Sequence, residues 1–140
     1  MRVISLFISL ILLYGCAKSW HLGEWTVTDV AFPAVSALSY EEAREWFDSE
    51  AIYSESVFSF REERCESPQL KHESLTASEF YSAYRTTFGR LGIEGESANL
   101  LHITCADASF FPGSTLIKAT TDIVYLPWDG AFFRLDKNTP

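Results

Sequence analysis

The chain has 140 residues, 47% of them hydrophobic and 15% aromatic, and a formal net charge of −8 at pH 7. That length suits one domain with a modest core. The acid excess disfavours nucleic acid and anionic lipid headgroups as partners, because both are bound through basic surface; it permits a basic protein partner and serves solubility as well.

Met1-Arg2 opens with a positive charge, and Val3 to Tyr14 follows as an apolar run interrupted only by Ser5 and Ser9. About 12 residues are too few for a membrane-spanning helix, which needs roughly 20. A basic start and a short apolar run describe a secretory signal. The run ends in Leu13-Tyr14-Gly15-Cys16, which resembles the lipobox of bacterial lipoproteins, although Tyr14 is bulkier than its position usually holds. The resemblance implies a signal peptide over 1–15, cleavage before Cys16, and a multiply acylated Cys16 anchored to a membrane from the periplasmic side. Two or more acyl chains anchor stably where one does not. Ala17 after the cysteine, in place of Asp, would imply the outer membrane. The alternative is an ordinary signal peptide with an incidental cysteine.

Cysteine arithmetic bears on that choice. The chain has three cysteines, and an odd one in an exported protein needs an explanation. Lipidating Cys16 leaves Cys65 and Cys105, which an oxidising compartment would pair. Neither has a CxxC partner, so redox catalysis is not expected. His21, His72 and His102 show no ligand spacing, so no metal or other cofactor is expected and each reads as a surface or satisfied core histidine.

Residues 16–22 read as a tether. Ala17 to Leu22 would reach ~20 Å if fully extended, with Trp20 either at the lipid interface or packed under the domain. Residues 23–140 read as a single domain. Trp25, Val27 and Asp29 alternate on one face of a strand over Glu24 to Val30, which Pro33 ends. Ser39-Tyr40-Glu41-Glu42 is a capping box that opens a short helix to about Phe47. Ile52 to Phe60 reads as one strand. Thr76-Ala77-Ser78-Glu79 is a second capping box, opening a helix to about Phe88 with Phe80, Tyr84 and Phe88 at core spacing.

The last third reads as four short strands: Asn99 to Cys105, Thr115 to Ala119, Asp122 to Trp128 and Ala131 to Leu135. Asp129-Gly130 suits a two-residue hairpin turn joining the last pair. The fold class is therefore α+β: a small antiparallel sheet or barrel of about six strands, two short helices and one disulfide.

Gly23-Glu24-Trp25 on the first strand resembles the GxW of lipocalins and related small barrels. The resemblance implies that Trp25 packs across the barrel floor against an arginine from the last strand, here Arg134, closing the barrel through a cation–π contact. The alternative is that Trp25 is a core aromatic and Arg134 a surface charge.

No nucleophile elbow, phosphate loop or HExxH is present, and Glu41/Glu45 read as a solvated helix face, so an enzyme is not expected. Phe110-Phe111 beside Pro112-Gly113, and Trp128 at the hairpin, are bulky apolar residues next to turns. Exposed together they would form a binding patch; buried together they would cap the core, the reading the sequence favours. The expected function is that of a periplasm-facing binding module, for an apolar small ligand in a lipocalin-like barrel. The alternatives are an inhibitor or immunity-type lipoprotein, similar in outline to bacterial lysozyme inhibitors and suited to a basic partner, or a structural envelope component.

Overall fold

The computed structural model describes residues 19–139. Its frame is one nine-stranded antiparallel sheet: β1 (Gly23–Ala31), β2 (Glu50–Tyr53), β3 (Val57–Phe60), β4 (Glu63–Glu66), β5 (Gln69–Thr76), β6 (Ser97–Thr104), β7 (Thr115–Lys118), β8 (Ile123–Trp128) and β9 (Ala131–Lys137). The strand order is β4-β3-β2-β1-β9-β8-β7-β6-β5. Strands β4 and β5 are neighbours in the chain but lie at opposite ends of the order, so the sheet curls into a half-barrel with a seam between them.

Alternation along the strands explains the curl. Trp25, Val27, Tyr53, Phe58, Phe60, Leu101, Ile103, Leu116, Leu126 and Phe133 belong to one buried cluster, drawn from strands on both sides of β9. Only a sheet bent around its own side chains can bring them together. Tyr53 donates its hydroxyl to the Gly113 carbonyl at 2.8 Å, and burial pushes its phenol far above the ordinary range. The concave side of the half-barrel is thus packed with aromatic and aliphatic side chains.

A second cluster occupies the opposite face of β6, β7 and β9. It joins Leu100, Ile117 and Phe132 to Phe80 of α2 (Ala77–Tyr84) and Leu91 of α3 (Phe88–Leu91). Helix α1 (Tyr40–Arg44) contributes Ala43 to the first cluster, and Trp46 just beyond it stacks on Phe133 at 4.3 Å with planes 7° apart. Both capping boxes form: Ser39 and Thr76 accept from the N–H groups of Glu42 and Glu79, whose carboxylates accept in return from the cap backbones.

The expectation of about six strands and two helices is corrected to nine and three among the described residues. Ile52 to Phe60 is not one strand, because Ser54 reverses the chain: its hydroxyl accepts from the Val57 N–H and donates to the Val57 carbonyl, each at 2.9 Å. Strands β4 and β5 were not foreseen. The second helix stops at Arg85, which takes a left-handed conformation (φ 56°), and Phe88 opens a separate short helix.

On β1, a register shift between Val27 and Asp29 changes the alternation. Asp29 therefore turns out to solvent and Val30 packs against the core instead. Ahead of β1, Trp20 packs on the main cluster and His21 is 3% exposed, so both belong to the folded domain.

Candidate functional site

The ladder between β7 and β8 holds only Ile117↔Tyr125 and Lys118↔Val124. Carrying that register on would set Thr115 opposite Pro127, but proline has no N–H to donate, and the two strands part there. A half-open groove of about 310 Å³ lies where they part, walled by Tyr84, Phe110, Thr115, Pro127, Trp128 and Phe132, with Asp129 and Gly130 at one end.

Phe110 is 80% exposed and stacks on Trp128, ring centroids 4.9 Å apart and planes 29° from parallel. A solvated phenyl ring has lost most of the benefit of burial, ~1.5–3 kcal/mol for a large apolar side chain, and that benefit becomes available to whatever covers it. Phe111 points the other way, 8% exposed against Phe58. The expected trio therefore divides: Phe110 and Trp128 meet at the groove, while Phe111 anchors the Phe110 loop to the core. Burial of all three is corrected: Phe111 is drawn to the core by the turn it opens, in which the Ser114 N–H donates to its carbonyl at 3.0 Å, and Phe110 before that turn is left outside.

The hairpin tip is held from outside. Asp129 and Gly130 both have positive φ (49° and 84°), as a type I′ turn requires. The Ala37 N–H and the Ser36 hydroxyl donate to the Asp129 carbonyl at 2.7 and 3.1 Å. A Cβ on Gly130 would lie 2.3 Å from the Val35 carbonyl oxygen, so glycine is the residue that fits there.

Polar groups join the groove from a row across three strands. The Glu73 carboxylate lies 2.6 Å from His102 Nε2, and His102 Nδ1 lies 3.2 Å from the Thr115 hydroxyl, which is thereby fixed on the groove wall. Tyr84 supplies a phenol; burial, then the negative charge of Glu73, pushes its pKa up to about 12. Tyr84 and Phe132 were legible only as core positions in the sequence, because their contact with each other (6.2 Å between ring centroids) depends on how α2 crosses the sheet.

Trp25 and Arg134 do not meet. Trp25 is fully buried, its Nε1–H donates to the His21 carbonyl at 2.9 Å, and the cation over its ring is Lys137, 5.2 Å from the centroid. Strand parity is the reason. Lys137 is the cross-strand partner of Trp25, whereas Arg134 alternates with the buried Phe133 and Leu135 and so faces outward. There Arg134 makes two hydrogen bonds to the Asp136 carboxylate, at 3.0 and 2.8 Å, which hold that carboxyl below its usual pKa range. Asp136 is also bonded to Thr28.

Cys65 and Cys105 form a disulfide, with Cα atoms 5.6 Å apart. Cys16 and the rest of Leu13-Tyr14-Gly15-Cys16 lie outside the described residues.

The histidines depart from expectation in one respect. His21 is buried with neither ring nitrogen hydrogen-bonded among the described residues, and its ring lies 5.2 Å from that of His72. Burial, then the positive charges of His72 and Lys137, pushes its pKa down to about 4. Among the described residues no group of three or more His, Cys, Asp or Glu is placed to hold a metal ion, and no helix is long and apolar enough to cross a membrane. No known protein family, no curated protein and no solved structure matches this chain.

Proposed function

We propose that this chain is an envelope lipoprotein, anchored through acyl chains on Cys16, whose domain is a binding module using the Phe110–Trp128 groove. The carrying observation is the exposed Phe110 ring stacked on Trp128 beside a half-open groove of about 310 Å³. A groove of that size suits an apolar group of a small ligand or of a larger partner. The concave side of the half-barrel suits a ligand less well, because Trp25, Tyr53, Phe58 and Phe133 fill it.

Anchoring and binding are compatible in space. Gly23 begins β1 beside Lys137 at the end of β9, whereas the Asp129-Gly130 tip lies at the start of β9. The seven residues of β9 span ~20 Å. The groove therefore lies toward the end of the domain away from the tether, where a partner approaching from the periplasm would meet it. Asp129 at the groove end, exposed, favours a second reading in which the partner is a basic protein, as for an inhibitor-type lipoprotein.

Two experiments test the proposal. Cys16→Ser in the full chain should abolish stable membrane attachment, read by fractionation and by the mass of the processed amino terminus, without changing the thermal stability of the domain. Unchanged processing and attachment would sink the anchor. For the groove, p-benzoylphenylalanine at position 110 should give a discrete adduct on illumination in cells, while the same label at exposed Tyr40 gives none. An added mass of a few hundred daltons would identify a small ligand, and one of many kilodaltons a protein. Trp128→Ala removes the support behind ring 110 and should lower adduct yield roughly tenfold, as expected for losing ~1.4 kcal/mol of aromatic packing. Equal labelling from both positions, or none from 110, overturns the groove as the binding site.

A further inference from the structure

A second cavity lies on the other side of the α2 terminus and has the opposite character. Its volume is about 250 Å³ and it is lined by Pro33, Tyr81, Arg85, Thr86, Thr87 and Arg90. Two of its six lining residues are arginines and none is acidic, in a chain where Asp and Glu outnumber Lys and Arg by 19 to 11. Arg44, Arg64 and Arg134 each pair with a carboxylate, at 3.6, 3.1 and 2.8 Å, whereas Arg85 and Arg90 have no acidic partner among the described residues.

The hydroxyl groups around them are also under-used. Thr86 is 2% exposed and its hydroxyl has no hydrogen-bond partner among the described residues. Thr87, which precedes α3, makes no capping bond through its side chain. A buried polar atom without a partner is costly, and its presence beside two guanidiniums that have no acidic partner among the described residues points to a group that supplies acceptors. Arg90 is held in place from below: its Nη1 donates to the Pro33 carbonyl at 3.1 Å, leaving the rest of its planar donor fork for another acceptor.

We infer that Arg85 and Arg90, with the Thr86, Thr87 and Tyr81 hydroxyls, form a binding pocket for a phosphoryl-type oxyanion. A single carboxylate is satisfied by one arginine fork, whereas two guanidiniums and several hydroxyls match the three terminal oxygens and the double charge of a phosphate monoester. The pocket is separate from the aromatic groove and does not depend on that groove binding anything. It flanks the segment after β1, at the end of the sheet away from Gly23 and Lys137, so a free phosphate ester suits it better than a headgroup of the anchoring membrane.

The test is a titration of the isotope-labelled full chain in detergent with phenyl phosphate, followed by amide NMR at matched ionic strength. Saturable shifts confined to residues 81–90 and the segment around Pro33 are expected. Arg85→Gln and Arg90→Gln should each weaken binding roughly tenfold or more, the usual consequence of losing one charge-assisted bond. Arg90→Lys should restore part of the loss. Dimethyl phosphate, a monoanion standing in for a lipid phosphodiester, should bind more weakly than phenyl phosphate; tighter binding of the diester would assign the pocket to headgroups and overturn the free-ester reading. The amide spectrum shows directly whether each variant is folded. Shifts that sodium chloride reproduces, or that survive in the double Arg85→Gln/Arg90→Gln variant, would overturn the pocket altogether.

Discussion

Replacing Cys65 and Cys105 together by serine should lower the unfolding free energy by ~4 kcal/mol, the chain-entropy value for a loop of 40 residues. The expected fall in Tm is on the order of 10–20 °C for a domain of this size. Topology makes this the most exposed point of the fold. Every strand between β4 and β5 is laced to its neighbours by a backbone ladder, while those two, the ends of the sheet order, are not laced to each other. Cys65 sits inside β4 and Cys105 follows β6, the strand that carries β5 along its length, so the disulfide ties the two sides of the seam.

Cys105 also begins the loop between β6 and β7 that carries Phe110, and a small bridge to Ala108 shapes its first turn. Loss of the bond should therefore loosen the groove as well as the seam: labelling from position 110 should fall under conditions where the serine variant is still folded. Denaturant unfolding of the two proteins measures the first effect. A difference below about 1 kcal/mol would mean that the two edges are held together without the bond.

How much of this was legible in the sequence depends on what each element faces. The strands that bury one face were readable, because β6 to β9 alternate or run apolar and the Asp129-Gly130 turn announces its hairpin. Both helix starts were readable from their capping boxes, since those bonds are local. Strand β4 reads Glu-Arg-Cys-Glu and β5 reads Gln-Leu-Lys-His-Glu-Ser-Leu-Thr; at the margins of the sheet they have few buried positions, so periodicity had little to report. In the site, Phe110 and Trp128 stood out as bulky residues beside turns. The partners that make a groove of them, Tyr84, Thr115 and Phe132, come from three other elements and carry no mark of it in their neighbourhoods. Arg85 and Arg90 were hidden for a related reason: in the sequence each is one surface charge among many, and only the crossing of Pro33 beneath them makes a pocket.

Trp25→Ala should cost ~3–5 kcal/mol, the range for removing a fully buried indole from a packed core. Besides its core packing, that ring holds a hydrogen bond to the His21 carbonyl and carries the Lys137 cation, and these can be taken apart. Trp25→Phe keeps an aromatic body but leaves the His21 carbonyl without its donor, so it should cost less than alanine and should chiefly free Trp20 and His21 from the domain. Lys137→Met removes the cation over the ring and should cost ~0.5–1 kcal/mol, the size of a partly exposed cation–π contact. Arg134→Met should fall within about 0.5 kcal/mol of the parent, because its bonds run to the partly exposed Asp136 beside it on the outer face. The order alanine, phenylalanine, Lys137, Arg134 is the signature of a tryptophan capped by its own cross-strand partner. Should Arg134→Met cost more than Lys137→Met in the same denaturant series, the residue closing the floor of this half-barrel would be the arginine that the lipocalin resemblance implied, and the parity argument on β9 would fail with it.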